Sequence, residues 1–298
     1  MIEHDEVAGL PRLAPRVFGV FGDPIAHSRS PTMQGAAFAT LQLPHRYFAF
    51  HVSAQALGAA IAGARALRFG GVNLTVPHKS AALAHVDALT PRAERIGAVN
   101  TLCFVTDREG SEEALRVVGD NTDAPGFVFG LAMLGDGPAR HAVVLGGGGA
   151  ARAIVDALVH DLGAEVSWVS RSPEALPDLP HVQRLAWTRL AHVRDVDVLV
   201  NATTVGMSGG AADFPSPVPW HAMSDATRVV DVVVGDRSTA LIDRARDEGL
   251  RAQDGRPMLL GQGALALAAW LELDLPAQVL WAMAESLGLA PSAMPALG

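Results

Sequence analysis

The sequence predicts an α/β protein made of two units, each built on a mostly parallel sheet. Three observations carry this expectation. Short apolar runs with strand-like alternation, such as "VFGVFG" (17–22) and "DVDVLVNAT" (195–203), recur between longer stretches with helical periodicity. The chain has 298 residues, of which 49% are hydrophobic and 18% charged, enough apolar material for a sizeable core in two domains. A polar, charged break over 106–119 separates the first strand–helix series from the second.

The elements follow in order. Residues 17–22 form a strand that ends in a Gly-Asp-Pro turn, and "SPTMQGAAFATLQL" (30–43) is an amphipathic helix with Ser30 as N-cap and Pro31 at its first position. "HRYFAFHV" (45–52) alternates as a strand, "AQALGAAIAGARAL" (54–67) is helical, and "GGVNLTVP" (70–77) is a third strand. A helix is predicted from Lys79 to about residue 89, a fourth strand over 96–104, and a hairpin or loop over 106–119. "APGFVFGLAMLG" (124–135) is a helix, and residues 141–172 read as strand, glycine turn, helix and strand. Further strands lie in 195–203 and "TRVVDVVVG" (227–235), and two or three helices follow from residue 258, packing back on the first domain or the cleft. The division expected is a substrate-binding and catalytic domain, 1–123 completed by 258–298, and a dinucleotide-binding domain, 124–257.

Composition excludes several classes of partner. The net charge is −8 and no Lys/Arg block occurs, so nucleic acid and anionic membranes lack their electrostatic footprint. The stretch 258–275 is interrupted by Gln262, Glu272 and Asp274 and is too short to span a bilayer, which takes ~20 apolar residues. The first fifteen residues are acidic without an apolar run, unlike a secretory signal, and the single cysteine, Cys103, fits a reducing, cytoplasmic compartment. Eleven histidines show no metal-ligand spacing; His78 and His85 fall seven apart on one predicted helix, where surface positions explain them, and His27 and His78 flank motif residues.

"VVLGGGGAARAIV" (143–155) places Gly146-x-Gly148-x-x-Ala151 between an apolar strand and a helix. That context is the dinucleotide fingerprint of a Rossmann-like unit: a tight turn, a close backbone approach to pyrophosphate, and a small residue for helix–strand packing. The next strand ends in Ser170-Arg171-Ser172 where NAD sites carry an acid, and a guanidinium favours the extra phosphate of NADP, with NAD still possible and Glu174 close by.

"GVNLTVPHKS" (71–80) alternates Val72, Leu74 and Val76 with Asn73 and Thr75, a strand with one buried face, and Pro77 suits the first turn of the helix expected next. Lys79 then sits at a helix start, where the macrodipole disfavours a positive charge; that start and a desolvated cleft both suit the amine to proton transfer. Asp123, in "GDNTDAPGF" (119–127), lies at a loop-to-helix junction and is the candidate partner. A plain N-cap for Asp123 and a surface lysine are the alternatives; their joint place at the domain junction favours the pair.

The ordered motifs "GDPIAHSRSP", "NLTVPHK", "IGAVNT", "NTDAPGF", "LGGGGAARA", "NATTVGM" and "GRPMLLGQGA" resemble those of shikimate dehydrogenases over roughly residues 17–285. The resemblance implies Lys79 and Asp123 as the catalytic pair, Ser28 and Ser30 on the substrate carboxylate, and Thr75, Asn100 and Gln262 on the ring. On the cofactor side it implies Gly146, Gly148, Gly149, Ala150 and Ala151 in the glycine turn. Ser170, Arg171 and Ser172 are implied at the ribose phosphate, with Thr203, Met207, Gly255 and Met258 near the nicotinamide end. The implied reaction is reversible reduction of 3-dehydroshikimate to shikimate with NADPH, in aromatic amino-acid biosynthesis, by a monomer or homodimer acting on a small cyclic hydroxy acid. A quinate or aminoshikimate dehydrogenase, or a non-catalytic sensor of NADP(H) or a ring acid, are the alternatives. The chain departs from the family pattern at Val234, where relatives carry a tyrosine donor, at Gly147, usually alanine, and in lacking a second arginine after Arg171.

Overall fold

The computed structural model describes residues 14–106, 115–207, 209–290 and 294–297. The expectations for residues 1–13 and for the tip of the hairpin, 107–114, lie outside the described residues. The first unit opens with β1 (Val17–Gly22), α1 (Ser30–Thr40), β2 (Arg46–His51), α2 (Leu57–Ala66), β3 (Gly71–Leu74), β4 (Ala88–Leu89), α3 (Pro91–Ile96), β5 (Thr101–Thr106) and β6 (Leu115–Asp120). Its sheet has the order β2-β1-β3-β5-β6-β4, parallel except for β5, which runs antiparallel to β3 and β6. Period-two alternation splits β1 between two cores: Phe18 and Val20 face α1, while Phe21 faces α2 with Leu57 and Ile61.

The second unit follows α4 (Asp123–Met133) with β7 (His141–Leu145), α5 (Gly149–Asp156), β8 (Glu165–Ser170), β9 (Val182–Ala186), β10 (Val196–Asn201), β11 (Met223–Asp231), α6 (Ala240–Asp247) and β12 (Arg251–Gln253). Its sheet, β12-β11-β10-β7-β8-β9, is parallel throughout. Residues of β7 alternate between cores on the two faces, Ala142 and Val144 in one, Val143 and Leu145 in the other, as a doubly covered parallel strand requires. Two helices end the chain, α7 (Arg256–Leu271) and α8 (Ala277–Ser286). They return to the first unit, where Leu260, Leu267, Val279 and Met283 join Phe18 and Met33. A Cβ on Gly126 of α4 would lie 2.5 Å from the Gln262 backbone nitrogen, so glycine lets α7 approach closely and seats Gln262 against α4.

Five local expectations are corrected. No helix runs from Lys79 to residue 89: Lys79 lies in a turn, a short 3₁₀ segment covers Ala81–His85, and residues 88–89 pair with β6. Long-range pairing overrides helical periodicity here. The fourth strand starts at Thr101, because Thr90 caps α3 by accepting from the Ala93 amide, Pro91 sits in its first turn and Gly97 ends it with φ +67°. Helix α1 includes Ser30, with Arg29 at its N-cap. On β3 both faces are buried, Asn73 included, while Val76 beyond the strand is 55% exposed. His78 is likewise buried rather than a surface residue of a shared helix, its Nε2 2.8 Å from the Val52 carbonyl.

Candidate active site

The loops that leave the C-terminal ends of β3 and β7 meet, the position where open parallel sheets bind ligands. Lys79 Nζ donates to Asp123 Oδ2 at 2.6 Å, with the two side chains only 14% and 5% exposed. The lysine's main chain is held from behind, its carbonyl accepting the Val99 amide at 2.8 Å. The expected dipole effect belongs to Asp123 instead, whose carboxylate lies in the first turn of α4. Asn121 Oδ1 accepts the amides of Asp123 and Ala124 at 3.1 and 3.4 Å, so Asn121 serves those amides and leaves the Asp123 carboxylate to the lysine.

Asn100 holds the far side of that carboxylate. Its Nδ2 donates to Asp123 Oδ1 at 2.9 Å and lies 3.2 Å from Gln262 Oε1, while its Oδ1 accepts the Thr122 amide at 2.7 Å. The network continues through Thr101, whose hydroxyl donates to Asn100 Oδ1 and accepts from Asn73 Nδ2, to Tyr47, which donates to Asn73 Oδ1 at 2.7 Å. Burial pushes the Tyr47 phenol well above its ordinary range, with a bond to the Ser30 hydroxyl working the other way, so it stays neutral. Ser28 Oγ accepts the Ser30 amide at 3.3 Å. Asn100, Lys79, Asp123 and Gln262 therefore share one network; Ser30 lies beside its Tyr47 end, and Thr75 stands outside it, its amide bonded to the Phe21 carbonyl.

On the opposing side the wall is mostly backbone. Gly146 has φ +119°, and a Cβ there would lie 2.6 Å from the Ala202 carbonyl oxygen, so only glycine makes this turn. Its carbonyl accepts from Trp168 Nε1 at 2.5 Å. Ala151 is fully buried against the strands, Ala150 half-buried, and Gly148 borders open space. Ser170 Oγ accepts the Ser172 amide at 3.0 Å, and Arg171 is exposed beside them. Thr203 donates to Asn201 Oδ1 at 2.7 Å next to Gly146. Met207 is 45% exposed on the loop after β10, whereas Met258 is buried in the core. Gly255 is the N-cap of α7 and packs under Val232 and Val234. A turn of bare backbone at a helix N-terminus, open space before Gly148 and an exposed guanidinium one strand away fit a phosphorylated dinucleotide.

Sequence reasoning missed Tyr47, Asn73, Thr101, Asn121, Thr122 and Trp168. It also missed an ion pair between Arg29, which separates the two serines, and Asp236 of the second unit. Only Tyr47, the sole tyrosine, and Asn121, two residues before a helix, carried a signal. Cys103 lies apart from this chemistry, its thiol pushed up to about 12 by burial and the nearby Asp120. Among the described residues no His, Cys, Asp and Glu cluster is able to hold a metal, and no helix is long and apolar enough to cross a membrane.

Residues 20–102 match the family model of the shikimate dehydrogenase substrate binding domain. A shikimate dehydrogenase (NADP(+)) from one strain of Thermus thermophilus is 42% identical over 257 residues, 86% of this chain and 92% of its own. The chain belongs to the shikimate dehydrogenase family. Among family structures, a shikimate 5-dehydrogenase from a second Thermus thermophilus strain, solved with NADP(H) and shikimate, superposes with a TM-score of 0.72 at 38% identity, covering 91% of this chain and 99% of that one. The ligand-free 5-ketofructose reductase of a Gluconobacter species superposes with a TM-score of 0.73 at 29% identity, covering 92% and 98%. The matched substrate-binding region contains Ser28, Ser30, Thr75, Lys79 and Asn100. Where the family tyrosine is expected, Val234 presents only methyl groups toward Gly255.

Proposed function

We propose that this chain is an NADP-dependent shikimate dehydrogenase, reversibly reducing 3-dehydroshikimate to shikimate on the route to chorismate and the aromatic amino acids. The observation that carries the reading is the buried Lys79–Asp123 pair at the meeting of the two units. In this reading residues 1–123 with 258–298 take the ring acid, and 124–257 take the cofactor. NADPH, when bound, supplies the hydride, and the backbone of Gly146, Gly148, Gly149, Ala150 and Ala151 would hold its pyrophosphate, with Ser170, Arg171 and Ser172 at the ribose phosphate and Thr203, Met207 and Gly255 toward the nicotinamide.

The chain's own residues do the rest. Lys79 Nζ donates a hydrogen bond to the ring carbonyl oxygen and releases its proton as negative charge builds there. Asp123 Oδ2 fixes the ammonium, and Asn100, bonded to Oδ1, fixes the carboxylate. Ser28 and Ser30 bind the substrate carboxylate as neutral donors, which grip the anion without setting a full charge beside the reacting carbon. Thr75, Asn100 and Gln262 address the ring hydroxyls; two Asn100 Nδ2 protons face three acceptors, so the amide has an alternative bond to exchange for substrate.

Initial rates with shikimate and with quinate, each with NADP and NAD, test the proposal. Shikimate with NADP should give the highest kcat/KM. Preference for quinate would move the assignment within the family, consistent with the donor lost at Val234, and no turnover with any pair would leave a sensor. Arg171→Ala should raise the KM for NADP by about tenfold or more and leave that for NAD within about twofold; equal effects would show that the arginine does not read the phosphate.

A further inference from the structure

The glycine turn does not stop at the cofactor side. Gly149, the first residue of α5, lies against the aliphatic stem of Lys79: a Cβ built on it would sit 2.8 Å from Lys79 Cβ, 3.2 Å from Cδ and 3.5 Å from Cγ. Neighbouring Gly148 has nothing within 4 Å of the same built atom. Two adjacent glycines in one fingerprint thus face different things, one open space and the other a lysine contributed by the opposite unit.

We infer that Gly149 is a positioning residue for Lys79: its missing side chain lets the dinucleotide turn bear on the lysine stem and press the ammonium toward Asp123. The inference rests on the reading of Lys79 as the proton donor. Its basis is steric. Carbon atoms in good contact stand about 3.5–4.0 Å apart, and the closest approach falls at Cβ, the side-chain atom least able to swing away. Neither backbone yields easily, since Lys79 is tied to Val99 through its carbonyl and Gly149 is locked into α5. An added methyl is accommodated only by parting the two units or by turning the amine off the carboxylate. The lysine is therefore aligned by a contact between the two units.

Backbone conformation does not account for this glycine. Gly149 is helical and outside the left-handed region, where alanine favours a helix over glycine. The experiment compares Gly149→Ala with Gly148→Ala in the full-length enzyme. Gly149→Ala should lower kcat about 10- to 100-fold, the scale of an ångström-sized misplacement, with the loss persisting at saturating NADPH and the thermal midpoint not falling. Gly148→Ala, whose added methyl meets nothing within 4 Å and faces the cofactor side, should act first on the KM for NADPH. A kcat within twofold of the parent for Gly149→Ala, a loss that saturating NADPH restores, or a thermal midpoint lowered by several degrees would each overturn the assignment. Full activity of Lys79→Ala would instead remove the reading beneath it, whatever Gly149→Ala does.

Discussion

Around Asn100, at the edge of β5, both side-chain polar atoms are engaged by Asp123, Gln262, Thr101 and Thr122. Around Gly146, at the end of β7, the wall is main chain, and the first features met are an open space before Gly148 and a carbonyl that a methyl would strike. One side of the cleft is organised by side chains that hold each other, the other by side chains that are absent. The difference suits the two ligands. A small ring acid is told from its relatives by donors and acceptors fixed in place, whereas a pyrophosphate needs bare amides and room.

The contrast is broken most severely at Lys79, a side chain of the crowded half whose stem lies against the bare one. Lys79→Ala should lower kcat by about 10³-fold or more, with the KM for shikimate within about tenfold, as for a group acting in the transition state. A near-normal kcat in steady-state assays would take the lysine out of the reaction. Asn100→Ala should act on the fold as well as on turnover. It strands the buried Thr122 amide and Asp123 Oδ1, a loss of about 1–3 kcal/mol, and should lower the thermal midpoint by roughly 2–5 °C. A midpoint unchanged in a calorimetric scan would mean that the network adds no rigidity beyond the surrounding packing.

Acidification sharpens the comparison at the smallest scale, because one buried group in each half responds with the opposite sign. In the first, burial and the nearby Arg16 hold the His45 imidazole below its ordinary value; its Nδ1 accepts the Arg16 amide. The unfolded chain therefore takes up this proton first, and His45 withdraws stability as pH falls through about 6.5 toward the lower folded value. In the second, burial holds the Asp231 carboxyl above its ordinary range despite bonds from Thr239, Val233 and Asn201. Here the folded chain takes up the proton first, and this contribution is lost again as pH rises through the raised folded value. His45→Gln should make the fall in thermal midpoint between pH 7 and 5 smaller. Superimposable profiles for parent and variant would assign the pH response elsewhere.

Much of this was legible in the residues themselves. The apolar run 17–22 before Asp23-Pro24 predicts a strand ending in a turn, and the run from Val143 to Ala151 predicts a glycine turn between strand and helix. Both hold because they are local. The helix expected after Lys79 failed because what decides that segment is distant, namely pairing of residues 88–89 with β6 and the bond from Val99. Helix α3, by contrast, had its cap, proline and terminal glycine in plain sight and went unread. In the site, Lys79 and Asp123 were nominated by position and by resemblance. Asn73 was hidden because a polar residue on an alternating strand reads as solvent-facing, and only the packed structure puts it beneath Tyr47 and Thr101. The bond from Trp168 to Gly146 spans strands that periodicity does not connect.

That last contact gives the turn a voice of its own. The indole of Trp168, one of five in the chain and completely shielded from water, has its only hydrogen-bonding nitrogen on the carbonyl of the residue where the loop reverses. With the other four tryptophans replaced by phenylalanine, its emission would be an optical gauge of the loop, legible without a dye or label while a dinucleotide is titrated in.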